Sequence, residues 1–298
     1  MLRRLDLKVG WSCNNRCRFC VQGDKRDRFP DRDTATVLRL LEEARPDCDG
    51  VVLTGGEPTM RKDLPEVVAE ARRLGYQTVQ LQTNGRALCH LPLLESLVAA
   101  GLTEVAPALH GPNPEVHDGL TRAPNSFRQT VRGIRHARAL GLPVVLNSVV
   151  VQANLQYLPK MAHLFCGLDV SSFQFAFVHA LGSAADGVDD VMPTFSRAAP
   201  LLRRALRIGR AEGIPCWTEG VPLCVLGAFA THASEGRIPS TRIVDAELVV
   251  DDYTEMRRTE GKAHGPPCED CLDAERCEGP WREYPEVYGW SELHGRRV

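Results

Sequence analysis

The chain has 298 residues, 43% of them hydrophobic and 25% charged, with a formal net charge of −2. These are globular proportions, enough for one barrel-sized domain with an appendage, and there is no basic surplus of the kind that goes with phosphate-backbone binding, which argues against a nucleic-acid substrate. No apolar run reaches the roughly eighteen residues of a membrane span, and "MLRRLDLKVGWSC" lacks an apolar stretch of signal-peptide length, so a cytoplasmic protein is expected.

In chain order, "LDLKVGW" reads as a strand and "TATVLRLLEEAR" as a helix. "GVVLT" (50–54) leads through "GGEPT" into "DLPEVVAEARRLG" (63–75), and "YQTVQLQTNG" (76–85) precedes "LPLLESLVAAG" (91–101). "EVAPALHG" (104–111) precedes "SFRQTVRGIRHARALG" (126–141), and "LPVVLNSVVV" (142–151) precedes "NLQYLPKMAHLFCG" (154–167). "SSFQFAFVHA" (171–180) precedes "FSRAAPLLRRALRIGRAEG" (195–213). That is about six strand-then-helix units. Gly75, Gly141 and Gly213 follow basic, apolar helix ends where a left-handed cap forms easily, and Ser126 with Gln129 reads as a capping box. Such alternation implies parallel strands with right-handed crossovers, as a doubly wound sheet or a barrel, with ligands at the carboxyl ends of the strands. The alternation stops after residue 213. The expected organisation is therefore an α/β unit over 1–213 and a small, metal-stapled region over 214–298.

The 11 cysteines are an odd number, grouped as Cys13, Cys17, Cys20 and as Cys268, Cys271, Cys277. In a reducing compartment, tight groups of this kind point to metal binding rather than a disulfide framework. A closed tetrahedral site uses four ligands, so three local thiols imply either a remote fourth ligand or a metal left partly open for chemistry.

Cys13-x3-Cys17-x2-Cys20, with Phe19 before the third cysteine and Gly55-Gly56-Glu57-Pro58 after the next strand, resembles the radical S-adenosylmethionine (SAM) superfamily over roughly residues 5–180. The resemblance implies a partial six-stranded TIM-like barrel and a [4Fe–4S] cluster held by three thiolates, whose fourth iron chelates SAM. It also implies reductive cleavage to a 5′-deoxyadenosyl radical, hydrogen abstraction from a substrate, and a flavodoxin- or ferredoxin-type electron donor. Phe19, Gly55, Gly56, Glu57, Pro58, Thr83, Asn84 and Asn147 fall where family members contact SAM: backbone carbonyls of the Gly-Gly turn for its ammonium, with Glu57 adding charge, and strand-end Thr83, Asn84 and Asn147 for its ribose or carboxylate. His110, His179 and Arg122 lie at the expected mouth, each with an ordinary structural reading as well. No general base is named.

Cys268-x2-Cys271-x5-Cys277, with Cys224 upstream, resembles the auxiliary-cluster modules called SPASM or twitch. Trp281 stands where a full SPASM pattern would be expected to place a further cysteine, so one auxiliary [4Fe–4S] cluster is expected, completed by Cys224 or Cys216 or left open. A structural zinc ribbon uses the same four sulfurs. Trp281, Tyr284, Tyr288 and Trp290 could pack this module on the barrel mouth.

The resemblance implies a peptide or small-metabolite substrate and an oxidative outcome such as crosslinking or dehydrogenation. No extra domain precedes residue 5, so a peptide would need a separate partner or no leader. The alternatives are a non-catalytic zinc-binding or RNA-associated α/β protein and a tRNA-modifying radical enzyme.

Overall fold

The computed structural model describes residues 3–297. Among the described residues nine strands run in chain order: β1 (Arg4–Gly10), β2 (Gly50–Gly55), β3 (Thr78–Thr83), β4 (Glu104–Pro107), β5 (Val145–Val150), β6 (Ser172–Phe177), β7 (Cys216–Glu219), β8 (Thr241–Val244) and β9 (Val249–Val250). One sheet has the order β4-β3-β2-β1-β8-β9 and the other β5-β6-β7. All pairings are parallel except the β8–β9 hairpin. Parallel bridges Val105↔Val144 and Ala108↔Asn147 join β4 to β5, so the two sheets form one continuous curved wall. Six strand-then-helix units build it, as expected, in an α/β partial barrel.

Alternation within the strands separates helix-facing from lumen-facing residues. Leu5, Leu7 and Val9 of β1 and Val79 and Leu81 of β3 are buried in the core, whereas Arg4, Asp6, Lys8, Gln80 and Gln82 line a cavity inside the barrel. Parallel strands packed on both faces read as continuous apolar runs. The period-two pattern here means that the inner face is wet.

Gly75, Gly141 and Gly213 are left-handed as expected, with φ of +91°, +76° and +71°. The capping box at Ser126 does not form. Asn125, with φ of +66°, is the N-cap residue of helix Ser126–Ala139 and makes no side-chain cap. Asp118, from helix Pro114–Thr121, supplies the acceptors instead: Oδ1 takes the Phe127 N–H at 2.7 Å and Oδ2 the Asn125 N–H at 2.8 Å. That first helix was absent from the expected pattern, because it spans only 8 residues and begins in a Pro-Asn-Pro turn.

Beyond Ala211 the chain stays in the wall: β7 pairs with β6, and β8 with β1. The change of pattern near residue 214 therefore falls between strands of shared sheets. No helix among the described residues is long and apolar enough to cross a membrane.

Candidate cofactor and cluster site

The site begins where β1 ends. Asp31 Oδ1 accepts the N–H groups of Trp11 (2.6 Å) and Ser12 (2.9 Å), and Arg61 Nη1 donates to the Val9 carbonyl at 2.9 Å. These bonds fix the direction in which the chain leaves the strand. The cysteine loop then docks on helix Pro114–Thr121, with Arg16 N–H donating to the Thr121 carbonyl and Arg18 N–H to Leu120. Arg86 clamps the loop from β3's side: Nη1 donates to Asn14 O (2.5 Å) and Asn15 Oδ1 (3.0 Å), and Nε to Gln129 Oε1 (2.6 Å). Arg26 Nη1 donates to Asn15 O at 2.7 Å, and its Nη2 lies 3.8 Å from Cys20 Sγ.

Cys13, Cys17 and Cys20 are thus brought together by one loop. Burial pushes the Cys17 thiol up to about 12, and Cys20 and Cys13 add repulsion; burial raises Cys13 as well. The Cys13 and Cys17 sulfurs stay protonated unless a cationic centre stabilises their anions, as bound iron would. The donor set fits an iron–sulfur cluster. Among the described residues, no three His, Cys, Asp or Glu side chains converge as ligands of one metal ion.

The Gly-Gly turn packs directly on this loop. Gly56 N–H donates to Gly10 O at 2.9 Å and Glu57 N–H to Ser12 O at 2.7 Å. Gly55 has φ of +135°, and a Cβ there would meet the Gly10 carbonyl; a Cβ on Gly56 would meet the carbonyls of Trp11 and Ser12. Pro58 opens a short 3-10 turn beside them. Glu57 is buried, and its oxygens accept from Thr59 Oγ1 (2.5 Å), Thr83 Oγ1 (2.6 Å), Thr59 N–H (3.1 Å) and Asn84 N–H (2.6 Å). Burial pushes its carboxyl up, while these four donors pull it down. Glu57 therefore ties the ends of β2 and β3 together. Asn84 Nδ2 donates to Asn14 Oδ1 at 2.6 Å, carrying the brace to the cysteine loop.

Phe19 is buried, edge-on to His110 with ring centroids 4.7 Å apart. His110 is structural: its Nδ1 accepts the Val149 N–H at 3.2 Å, and its own N–H is accepted by His117 Nδ1 at 3.0 Å. Burial holds His110 well below the usual histidine range and lowers His117 to about 4, so both rings stay neutral. Asn147 lines the lumen, and its Oδ1 is buried without a partner. His179 stacks on Trp281 at 4.1 Å and faces Glu283 at 3.3 Å, which commits it to the wall's carboxyl-terminal packing. Arg122 is the left-handed residue that ends helix Pro114–Thr121.

Cys224, Cys268, Cys271 and Cys277 line one small pocket with Pro222, Pro267 and Leu293. Burial pushes up the Cys224 and Cys277 thiols, and Cys268 adds repulsion to both. Leu223 N–H lies 3.5 Å from Cys277 Sγ and Arg296 N–H 3.3 Å from Cys271 Sγ. Cys216 is elsewhere: it is buried against Leu206 O, at 3.5 Å, and Gly209. Beside the pocket, Arg257 pairs with Glu278 (2.5 and 2.7 Å), and Lys262 bonds Glu235 at 2.5 Å with its ammonium 4.9 Å from the Trp281 ring centre. Trp281 Nε1–H donates to Phe177 O at 3.3 Å, and Tyr284 OH accepts the Phe195 N–H at 2.7 Å. These aromatics hold the four-cysteine segment against β6 and helix Phe195–Ala211.

Residues 8–165 match the profile of the Radical SAM superfamily. The chain belongs to that superfamily. It is 34% identical over 185 residues to a probable GTP 3′,8-cyclase of Saccharolobus islandicus, a match covering 61% of this chain and 58% of that protein. An AdoMet-dependent heme synthase of Oleidesulfovibrio alaskensis is 27% identical over 217 residues, covering 72% of this chain and 52% of the relative. The chain thus spans little more than half of the length of these curated relatives. Among solved structures, SuiB of Streptococcus suis bound to SAM superposes with a TM-score of 0.65 at 14% identity, over 93% of this chain and 72% of that one. The anSMEcpe enzyme with bound AdoMet superposes with a TM-score of 0.59 at 17% identity, over 72% and 60%. These superpositions speak to fold. The SuiB likeness extends well past the residues matched by the profile.

Sequence reasoning had no place for Arg86, Arg61, Asp31 or Asn14. Arg86 directly follows the Thr83-Asn84-Gly85 strand end, which was its one visible signal.

Proposed function

We propose that Cys13, Cys17 and Cys20 hold a [4Fe–4S] cluster, that Cys224, Cys268, Cys271 and Cys277 hold a second, auxiliary one, and that the enzyme carries out peptide or small natural-product maturation, as crosslinking or oxidation. With a cluster held by Cys13, Cys17 and Cys20, SAM bound there would supply the radical chemistry for removing a substrate hydrogen. Gly55 and Gly56 let carbonyl-rich backbone approach SAM's ammonium; Glu57, Thr83 and Asn84 keep that backbone in register with the cysteine loop; Asn147 offers an unpaired amide oxygen to SAM's ribose or carboxylate.

The observation that carries the two-cluster reading is the gathering of four cysteines, from segments some forty residues apart, around a single pocket. Residues 214–298 then act as a twitch- or SPASM-like module. Peptide chemistry draws support from SuiB, whose structure is also known bound to the precursor peptide SuiA. The 34% identity to a probable GTP 3′,8-cyclase favours a second reading, with a nucleotide substrate.

Anaerobic reconstitution should give about eight irons per chain, and dithionite with SAM should yield 5′-deoxyadenosine. Zinc in both sites with no SAM cleavage would remove the proposal. Offering GTP and candidate peptides separately, and following substrate deuterium into deoxyadenosine, separates the two substrate readings.

A further inference from the structure

The barrel lumen holds a cavity of about 450 Å³ that reaches from Lys8, near the carboxyl end of β1, to Arg4 at its start. At about 3.3 Å per residue, these two side chains stand roughly 13 Å apart along the strand. The proposed SAM site occupies the Lys8 end. The Arg4 end has polar groups that no contact within the chain uses.

Arg4 Nε is buried without a hydrogen-bond partner, as is the Oγ of Ser234, a residue only 4% exposed. Both line the cavity, together with Arg237. The Arg237 guanidinium lies 4.2 Å from the Trp217 ring centre, held flat against the wall. Among the described residues neither Arg4 nor Arg237 forms an ion pair, whereas Lys8 at the other end is neutralised by Asp6 at 2.7 Å. Glu104, whose carboxylate accepts from Gln80 Nε2 at 2.8 Å, feels Arg4's charge without pairing with it. Buried donors such as Arg4 Nε and Ser234 Oγ are costly unless something fills them, and Arg237, an exposed residue, brings a solvated cation to the rim. A planar guanidinium fork suits a carboxylate or phosphate oxygen pair.

We propose that Arg4, Arg237 and Ser234 form an oxyanion pocket at the amino-terminal end of the lumen, which holds a carboxylate or phosphate group of an elongated substrate. The inference rests on the radical SAM reading of the opposite end. It narrows the substrate class to elongated molecules that carry an anionic group at the end remote from the carbon that reacts.

The test is calorimetric titration of the reconstituted holoprotein with glutarate and, separately, with methyl phosphate. At least one probe should bind the wild type, identifying the anion. Arg4→Gln and Arg237→Gln should each weaken it about tenfold or more, the range expected for a charge-assisted hydrogen bond. Ser234→Ala should weaken it less, and Arg39→Gln, on an exposed helix, not at all. Thermal melts identify any variant that fails to fold; if Arg4→Gln does, Arg237→Gln and Ser234→Ala decide. Absence of binding by both probes, or folded variants that bind as tightly as wild type, would overturn the pocket. Iron content and deoxyadenosine formation in the same preparations report on the radical SAM chemistry independently.

Discussion

Cys13 and Cys17 of the first group are poor anions where they stand, because burial disfavours their thiolates. Burial and mutual repulsion raise Cys17 to about 12, so its thiolate needs a bound cationic centre to form at neutral pH. Cys17→Ala should lower iron by about four per chain and abolish 5′-deoxyadenosine; iron analysis beside a turnover assay reads both. His110 and His117 make a second residue-scale point. Each uses Nδ1 to accept a backbone N–H, at 3.2 and 3.0 Å, so a proton there breaks a hydrogen bond and charges a buried ring. Because the folded-state value of His117, about 4, lies below the ordinary 6.5, its neutral form contributes stability above pH 6.5 that is lost as pH falls through about 4. The melting temperature should therefore drop between these limits, and more steeply in wild type than in His117→Gln; parallel curves would show that the ring does not titrate there. A sequence shows a histidine near apolar residues but not which nitrogen is engaged, so the ordinary reading and the catalytic one could be separated only by geometry.

At the scale of elements, the glycine pair illustrates how a motif becomes a mechanical part. Gly55 and Gly56 press their backbone against the carbonyls of Gly10, Trp11 and Ser12, so the end of β2 and the cysteine loop move as one body. Gly56→Ala should push them apart and weaken SAM binding by at least an order of magnitude, while the helices keep their circular dichroism; undiminished SAM affinity would sink this account. The cap of helix Ser126–Ala139 shows the opposite case. Ser126 and Gln129 have the right spacing for a capping box, yet Asp118 of the preceding helix takes the exposed N–H groups because the turn at Asn125 is left-handed. Asp118→Ala should cost about 1 kcal/mol or somewhat more, read by denaturant unfolding, whereas Gln129→Ala should act through Arg86 alone.

Across the whole molecule, the carboxyl-terminal segment is joined to the barrel by buried charge as well as by aromatics. Arg257 is fully buried and paired with Glu278, the residue after Cys277. Removing Arg257 leaves the buried Glu278 carboxylate to Lys262, 3.5 Å away, and Arg258, so Arg257→Met should destabilise the protein, though by less than the full cost of an orphaned buried charge, visible as a lower unfolding midpoint. Cys277→Ala should instead remove about four irons and leave SAM cleavage by the first group intact. Loss of both irons sets together would mean that the two regions fold only as one.

The alternating strands and helices, the three-cysteine loop and the Gly-Gly turn were readable in the sequence because each is local: periodicity and spacing within about ten residues encode them. What only the tertiary structure decided involves groups far apart in the chain. It placed Cys224 with Cys268, Cys271 and Cys277 while sending Cys216 into the core; it gave Arg86 the task of clamping Asn14 and Asn15; and it set Arg4, Arg237 and Ser234 along one cavity, with Arg4 Nε and Ser234 Oγ buried without partners among the described residues. Which distant side chains meet is settled by how the strands order and curve, and that depends on the summed burial of the whole core rather than on any stretch of residues.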